Sequence, residues 1–293
     1  MTDATTFPPR FPPRQLPLRF SLDDEATFAN FYLPEGAAGM PGRQLLDHLN
    51  NRLSAWAVAD QVTTPGTVLQ DFTWVWGAQG AGCTHVLQAV CHAVGGAGQA
   101  AFYLSFGQLA QLTPDVLQGL EQMAVLCLDD VEQVIGNREW ELALFHLYNR
   151  MCELQTPLLV AAHTNPKHLV TLLPDLASRL QSAAVFRLPV LSDEDKIEAL
   201  RMRAQRRGFT LSDEVAGYLI NRVGRDMPTL FNVLQDLDRL SMETGRRVTI
   251  PLLKEHHLLQ QTESQMLAGG ADMKDQGAEQ RGTQQAEDKP VEQ

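Results

Sequence analysis

Three glycines followed by a hydroxyl residue form the clearest chemical motif in this sequence. They lie in the segment Gly-Ala-Gln-Gly-Ala-Gly-Cys-Thr at 77–84, directly after a short apolar run and before a helical pattern. This order is typical of a phosphate-binding loop, because glycines let backbone N–H groups surround phosphate oxygens at a helix N-terminus. A tight glycine-rich turn without a ligand has the same spacing and is the alternative. We predict that this loop binds a nucleotide through Gly77, Gly80, Ala81, Gly82, Cys83 and Thr84.

Cys83 stands where phosphate-binding loops of this kind carry a lysine. That lysine gives the β- and γ-phosphates a charge-assisted hydrogen bond of about 1.5–3 kcal/mol, and a neutral thiol supplies almost none of it. We therefore expect the affinity for ADP or ATP to be reduced or lost. A thiol at a helix N-terminus is also expected to have a lowered pKa, and its thiolate would repel phosphate.

Two adjacent carboxylates, Asp129 and Asp130, follow the apolar run at 124–128. A carboxylate at the C-terminal end of a parallel strand can hold Mg²⁺ opposite the hydroxyl of Thr84, directly or through water. The next acid can then orient an attacking water. We predict that Thr84 and Asp129 are metal ligands and that Asp130 completes the nucleotide site. An isolated Asp-Asp pair after a strand is usually only a turn, so this prediction depends on the loop upstream.

Short apolar runs alternate with helical patterns between residues 72 and 191. Crossovers of a dozen or more residues, such as 84–94 and 139–154, separate these runs, which predicts a parallel sheet with helices on both faces. From Ser192 onward only helical patterns recur, beginning with an acid-rich capped start at 192–195 and a helix that closes at Gly208. The predicted fold class is α/β, a P-loop domain followed by a small all-α lid domain. The predicted strands are Phe72–Trp76, Ala100–Leu104, Ala124–Leu128, Leu158–Ala162 and Ala184–Leu188.

Composition and charge narrow the class of protein. The chain has 293 residues, 44% of them apolar and 20% charged, and a formal net charge of −11, which argues against a general nucleic-acid binder. The apolar runs are too short to cross a bilayer, and residues 1–20 carry three arginines and five prolines instead of an apolar signal core. We expect a cytoplasmic protein without a membrane partner. The four cysteines show no CxxC pair, so we expect reduced thiols and neither disulfides nor zinc ligands.

The sequence predicts four regions. Residues 1–20 form a flexible, proline-rich N-terminal arm, residues 21–190 the α/β nucleotide-binding domain, and residues 191–262 the helical lid. Residues 263–293 hold seven acids against three bases and no Phe, Trp, Tyr or Ile. Such a segment buries too little apolar surface to offset its ordering entropy, so we predict a disordered acidic tail.

Several segments together resemble the AAA+ ATPases of the DnaA-related branch. Residues 80–87 resemble the GxGKTHLL loop of that branch, and residues 126–130 resemble its Walker B strand. Residues 173–180 are similar to the box VII segment, which implies that Arg179 is an arginine finger. Arg225 matches the sensor 2 arginine, which implies that it reaches the nucleotide phosphates from the lid.

The lid segments at 191–196, 206–209 and 225–231 are most similar to the regulatory inactivators of the DnaA initiator, the Hda proteins. The resemblance implies a regulator that binds the DNA polymerase sliding clamp (β subunit) and presents its arginine finger to the ATP-bound DnaA initiator. The initiator then hydrolyses its ATP, which switches initiation off. The initiators carry a C-terminal DNA-binding domain where this chain has an acidic tail, so we expect no direct sequence-specific DNA binding.

The segment Gln-Leu-Pro-Leu-Arg-Phe at 15–20 is similar to the clamp-binding pattern of these inactivators. In an extended peptide, Leu16, Leu18 and Phe20 can fill apolar pockets while Gln15 supplies hydrogen bonds that fix orientation. We predict that these residues bind the clamp. A short edge strand that packs on its own domain is the alternative.

Two residues depart from the family pattern. Cys83 replaces the loop's cationic residue, and His163 stands at the sensor 1 position, where the family usually has Asp. Both departures argue against independent ATP hydrolysis, and we expect His163 to be a hydrogen-bonded structural residue. The leading hypothesis is a regulatory adapter with weak or absent ATPase activity of its own. The alternatives are an autonomous P-loop ATPase of clamp-loader or remodelling type and a nucleotide-independent scaffold.

Overall fold

The computed structural model describes residues 22–34, 40–56, 71–107 and 113–255. The predicted arm at 1–20, with its clamp-binding residues, and the predicted tail at 263–293 lie outside these residues. The described chain comprises an α/β part, which ends at residue 187, and a helical part from residue 193. No helix in these four ranges is both long and apolar enough to cross a membrane.

The α/β part alternates strands and helices, as the sequence pattern predicts. Its helices are α1 (Pro41–Trp56), α2 (Cys83–Gly96), α3 (Arg138–Leu154) and α4 (Pro174–Leu180). Its strands are β1 (Phe72–Trp76), β2 (Ala101–Ser105), β3 (Val125–Asp129), β4 (Leu158–Ala162) and β5 (Ala184–Arg187). Each of the five predicted strands is therefore confirmed, with boundaries that differ by one residue at most.

All five strands belong to one parallel sheet with the order β2-β3-β4-β1-β5. Strand β1, which leads into the glycine-rich loop, lies between β4 and β5, and β4 separates it from β3. Because parallel strands end at the same edge of a sheet, the loop after β1 and the carboxylates after β3 converge there.

The sheet is buried on both faces, since alternate side chains of its strands enter two different cores. On β4, Leu158 and Val160 face the core under α3, whereas Leu159 and Ala161 face the core under α1 and α2. This double burial explains why the central strands read as continuous apolar runs.

The helical part consists of α5 (Asp193–Arg206), α6 (Asp213–Val223), α7 (Met227–Thr244) and α8 (Ile250–Glu255), within the described residues. These helices enclose a core of their own. The predicted start of α5 is confirmed as a capping box, in which Ser192 and Asp195 exchange side-chain and backbone hydrogen bonds. Gly208 follows α5 with a φ of 90°, a conformation that favours glycine at a helix end. This lid domain packs over the carboxyl edge of the sheet, and a cavity lies between the two parts.

Candidate functional site

The cavity between the two parts has a volume of about 360 Å³ and lies at the carboxyl edge of the sheet. Several parts of the chain line it: the N-terminal segment 22–34, the start of α1, the loop 77–84 with the first turns of α2, the ends of β3 and β4, the segment 188–191, and the lid helices α5 and α7. A cavity of this size is at the small end of the range for small-molecule sites, about 300–1,000 Å³.

The glycine-rich loop has the backbone shape of a phosphate-binding loop. Gly80 and Gly82 have φ angles of 78° and 96°, which lie in the left-handed region, and Gly82 caps α2. A Cβ at Gly77 would lie 2.7 Å from the carbonyl oxygen of Leu188, so this position has no room for a side chain. All six predicted loop residues, from Gly77 to Thr84, line the cavity.

Cys83 is the first residue of α2, and the environment of its thiol differs from our expectation. Burial and the carboxylate of Asp129 raise the pKa of Cys83 to about 12, so the predicted lowering of this pKa is wrong. Desolvation of a thiolate and repulsion by a nearby carboxylate exceed the attraction of the helix N-terminus. Cys83 therefore presents a neutral thiol to the cavity near pH 7.

Asp129, the last residue of β3, is buried and already has three protein hydrogen-bond donors. Tyr103 donates to its Oδ2 (2.8 Å), the N–H of Asp130 donates to its Oδ1 (3.1 Å), and the hydroxyl of Thr84 also bonds to this carboxylate. Burial and the charge of Asp130 raise the pKa of Asp129, while these hydrogen bonds oppose the rise. The structure thus brings the two predicted metal ligands together, but as partners of each other.

Asp130 lies beside three further polar side chains, those of Ser105, Glu132 and His163. It adopts a positive φ of 55° and accepts a hydrogen bond from Ser105 at 2.9 Å. Glu132 accepts hydrogen bonds from the backbone N–H and from Nδ1 of His163. Asp130, Glu132 and His163 bring ligand atoms within 4.8 Å of one another. His163 is hydrogen-bonded, as expected, and Glu132 is a site residue that the sequence reasoning missed.

Arg203 of α5 also lines the cavity and was not predicted. Its guanidinium group bonds to Glu25 (Nε to Oε2, 2.7 Å) and lies over the ring of Phe231 at 3.9 Å from the centroid. Arg207 forms an ion pair with the same carboxylate. Burial alone would raise the pKa of Glu25, but the hydrogen bonds from Arg207 and Arg203 lower it below its ordinary value. The charge of Arg203 is thus compensated within the protein.

The N-terminal segment 22–34 is anchored to α2. The N–H of Asp23 donates to Gln88 (2.9 Å), and Nε2–H of His85 donates to the carbonyl of Thr27 (2.8 Å). Burial lowers the pKa of His85, so this ring is neutral near pH 7. Phe31 packs directly on the loop, since a Cβ at Gly82 would lie 2.9 Å from its ring. Phe31 therefore belongs to the cavity wall.

Arg225 points to a different place from the one implied by the resemblance. Its side chain is 71% exposed and forms an ion pair with Asp193 (3.1 Å), and it is not among the residues that line the cavity. The first turn of α7 contributes Met227 and Pro228 to the cavity instead. A contact between Arg225 and a nucleotide stays a prediction that would require this ion pair to open.

Arg179 lies on α4 and does not line the cavity. Its guanidinium group stacks on Phe145 of α3, 4.4 Å from the ring centroid, and lies 5.3 Å from the centroid of Tyr148. It also donates a hydrogen bond to the side chain of Asn149. Three residues of α3 therefore fix the orientation of this half-buried arginine.

Two family models match the chain in its two parts. The bacterial DnaA ATPase domain matches residues 45–186, and the lid domain of Hda matches residues 193–256. The chain belongs to the DnaA-related AAA+ proteins.

Solved structures similar to this DnaA-related protein show the same fold. Domain III of the replication initiation protein DnaA from Thermotoga maritima is 20% identical, with a TM-score of 0.59, over 82% of this chain and 97% of that one. AMPPCP-bound DnaA from Aquifex aeolicus is 20% identical, with a TM-score of 0.57, over 76% of this chain and 68% of that one. The RuvB Holliday junction branch migration motor of T. maritima is 14% identical, with a TM-score of 0.51, over 73% and 68%.

The cavity of this DnaA-related protein has the loop shape that a nucleoside polyphosphate needs, but it lacks the positive charge that would balance the phosphates. The loop has the backbone form of a phosphate cradle, and a Cβ at Gly77 or Gly82 would collide with Leu188 or Phe31. Among the described residues that line the cavity, Arg203 is the one side chain with a permanent positive charge, and Glu25 compensates it. Asp129 and Asp130 add negative charge to the wall, whereas Asp23 forms an ion pair with Arg203. The donor set therefore disagrees with tight binding of ADP or ATP.

Proposed function

We propose that this protein is a negative regulator of replication initiation that stimulates ATP hydrolysis by a DnaA initiator. In this role Arg179 acts as an arginine finger in trans, and the sliding clamp recruits the protein. The observation that carries this proposal is the position of Arg179, which lies outside its own cavity while α3 holds its guanidinium group. A guanidinium group held in this way can serve a phosphoryl group on a second molecule.

The described contacts of Arg179 suit this role physically. The ring of Phe145 and the side chain of Asn149 restrict the rotamers of the arginine, so less conformational entropy is lost when it meets a phosphate. A guanidinium group supplied in trans stabilises the charge that develops on the transferring phosphoryl group, and this raises hydrolysis by about 10³–10⁵-fold. Arg179 itself neither gains nor loses a proton in this step.

The protein's own cavity supports a regulator over an autonomous ATPase. Cys83 supplies no cation, and the predicted metal ligand Asp129 already accepts hydrogen bonds from Tyr103, Thr84 and the N–H of Asp130. His163 is bonded to Glu132 and offers no carboxylate at the sensor 1 position. Hydrolysis by this chain alone would lack most of the groups that stabilise a phosphoryl transition state.

The second part of the proposal is that the sliding clamp binds Gln15, Leu16, Leu18 and Phe20. This part rests on the sequence pattern at 15–20. The described chain begins at Leu22, and the next residues are bonded to α2 and to the lid. A peptide that precedes such an anchored segment can tether the whole protein to a clamp. Tethering raises the effective concentration of Arg179 near an initiator on the same DNA.

The test measures ATP hydrolysis by a purified DnaA initiator with DNA-loaded sliding clamp and this protein. We expect the parent protein to stimulate hydrolysis and the Arg179→Ala variant to lose at least 100-fold of that stimulation, in line with the size of a trans arginine effect. Arg187→Ala is the matched control, because Arg187 also lies over an aromatic ring, that of Trp76, but on β5. We expect this control to stimulate like the parent.

Arg179→Lys separates charge from shape. Lysine keeps the positive charge but cannot make the planar, bidentate contact of arginine, so we expect less than a tenth of the parental stimulation. Circular dichroism and clamp binding should be the same for all four proteins. Full stimulation by Arg179→Ala would show that Arg179 is not the trans-acting group.

A further inference from the structure

We propose that the cavity of this protein binds an uncharged nucleoside more tightly than the corresponding nucleoside diphosphate or triphosphate. The order of affinity would then be opposite to that of an ordinary phosphate-binding loop. This inference is independent of the role of Arg179, because it concerns the protein's own cavity and is tested without initiator or clamp.

The charges on the cavity wall disfavour a phosphate chain. Two carboxylates, Asp129 and Asp130, line the cavity at the end of β3, and Arg203 is held by Glu25 and Asp23 within the protein. A phosphate chain would face these carboxylates in a partly buried space, where repulsion is screened less than in water. A ligand without phosphates would not experience this repulsion.

The loop lacks a cation and has an aromatic ring packed against it. The N–H groups at the start of α2 still carry a partial positive charge, but the thiol of Cys83 adds none. The ring of Phe31 packs against Gly82, so an apolar group already covers one side of the loop. Burying phosphate oxygens against this ring without a compensating cation is unfavourable.

The predicted Mg²⁺ ligands already have hydrogen-bond partners within the protein. Mg²⁺ bound directly by Thr84 and Asp129 would screen the phosphates best if neither residue had other partners. The carboxylate of Asp129 instead accepts hydrogen bonds from Tyr103, from the N–H of Asp130 and from Thr84 itself. These donors already offset part of the charge of this carboxylate, so Mg²⁺ is expected to restore little of the phosphate affinity.

Apart from the loop and the carboxylates, the cavity wall is largely apolar. Leu33, Leu188, Met227 and Phe231 line it, together with the polar side chain of Asn232. Apolar walls with a few polar groups are the usual environment of a bound nucleobase, since they bury the faces of the base and hydrogen-bond its edge. The cavity therefore offers favourable contacts to a base and unfavourable ones to phosphates.

The test is a calorimetric titration of the full chain with adenosine, AMP, ADP and ATP, with and without Mg²⁺. We expect adenosine to bind at least tenfold more tightly than ADP under both conditions, with AMP between them and ATP weakest. ADP or ATP that binds as tightly as adenosine overturns the proposal. The absence of adenosine binding at millimolar concentration also overturns it.

Two variants assign the selectivity to this cavity. Cys83→Lys adds the missing cation, so we expect it to raise the ADP affinity at least tenfold relative to the adenosine affinity of the same variant. Cys83→Ser is the matched control, because it stays neutral and should keep the parental order. Melting curves show whether both variants fold. If folded Cys83→Lys binds ADP no better than Cys83→Ser does, charge at the loop is not the cause and the proposal fails.

Discussion

The reactivity of Cys83 is a sharp test of the electrostatics of the loop. Burial and Asp129 raise the pKa of this thiol to about 12, whereas a free cysteine has a pKa of about 8.5. At pH 8 about a quarter of a free thiol is ionised, but only about one part in 10⁴ of a thiol with a pKa near 12, a difference of about 10³-fold. Thiolates of higher pKa are more nucleophilic, which recovers a factor of roughly 30 for thiol–disulfide exchange. We therefore expect Cys83 to react about 10²-fold more slowly than a free thiol.

The assay is exchange with a small aliphatic disulfide, cystamine, followed by mass spectrometry of the peptide that contains Cys83. The same chain in urea supplies the reference rate, and peptide mapping separates Cys83 from Cys91, Cys127 and Cys152, which are buried. In the folded protein the rate at Cys83 should keep rising about tenfold per pH unit beyond pH 9, because the thiolate fraction is still increasing there. In urea the rate should level off near pH 9.

Asp129→Asn tests the cause of the shift. It removes the charge of the carboxylate but leaves the burial, which is the larger cause, so we expect a faster reaction that is still slower than in urea. A rate within threefold of the unfolded chain at pH 8 would refute the reasoning. A plateau below pH 9 in the folded protein would refute it too, since it would show a thiolate at the loop.

The remaining predictions concern the other parts of the site. Arg179→Ala should lower the free energy of unfolding in urea by about 1–2 kcal/mol, because each cation–π contact contributes about 0.5–1 kcal/mol, and a loss above 4 kcal/mol would indicate a core role. Replacing Leu16, Leu18 and Phe20 together by Ala should abolish sliding-clamp capture in a pull-down, since apolar burial contributes about 25 cal/mol per Å²; a large fall in melting temperature would instead favour the edge-strand alternative. The lowered pKa of Glu25 stabilises the fold above the unfolded pKa of about 4.3, and this contribution is lost as pH falls through the folded pKa. Glu25→Gln should therefore be less stable than the parent at pH 7, and the difference should shrink in melting curves recorded below pH 4.

The fold could be predicted from local sequence patterns. Strands such as Phe72–Trp76 and Leu158–Ala162 are short apolar runs between helical patterns, and burial on both faces makes this signal strong. The start of α5 could be predicted because Ser192 and Asp195 form a capping box through residues only three apart. The loop at 77–84 is equally local, since its glycines encode its backbone shape.

The contacts within the site could not be predicted, because they join residues far apart in the chain. Tyr103 and Ser105 reach Asp129 and Asp130 only because β2 pairs with β3 in the register that sets Ser105 beside Asp129. No periodicity or spacing encodes this register. The bond between Glu132 and His163 likewise needs β3 and β4 to be neighbours.

The sequence by itself determined which residue types are present: a thiol in place of a lysine, a carboxylate pair after a strand, and an arginine in a box VII-like segment. The tertiary structure decided the pKa values of those groups and the directions of their side chains. The sequence placed Cys83 at a helix N-terminus, which predicts a lower pKa, but burial and Asp129 raise it because desolvation and charge repulsion depend on neighbours in space. In the same way Arg225 points toward Asp193, while Arg203 reaches the cavity wall, since the packing of the lid sets the direction of both side chains.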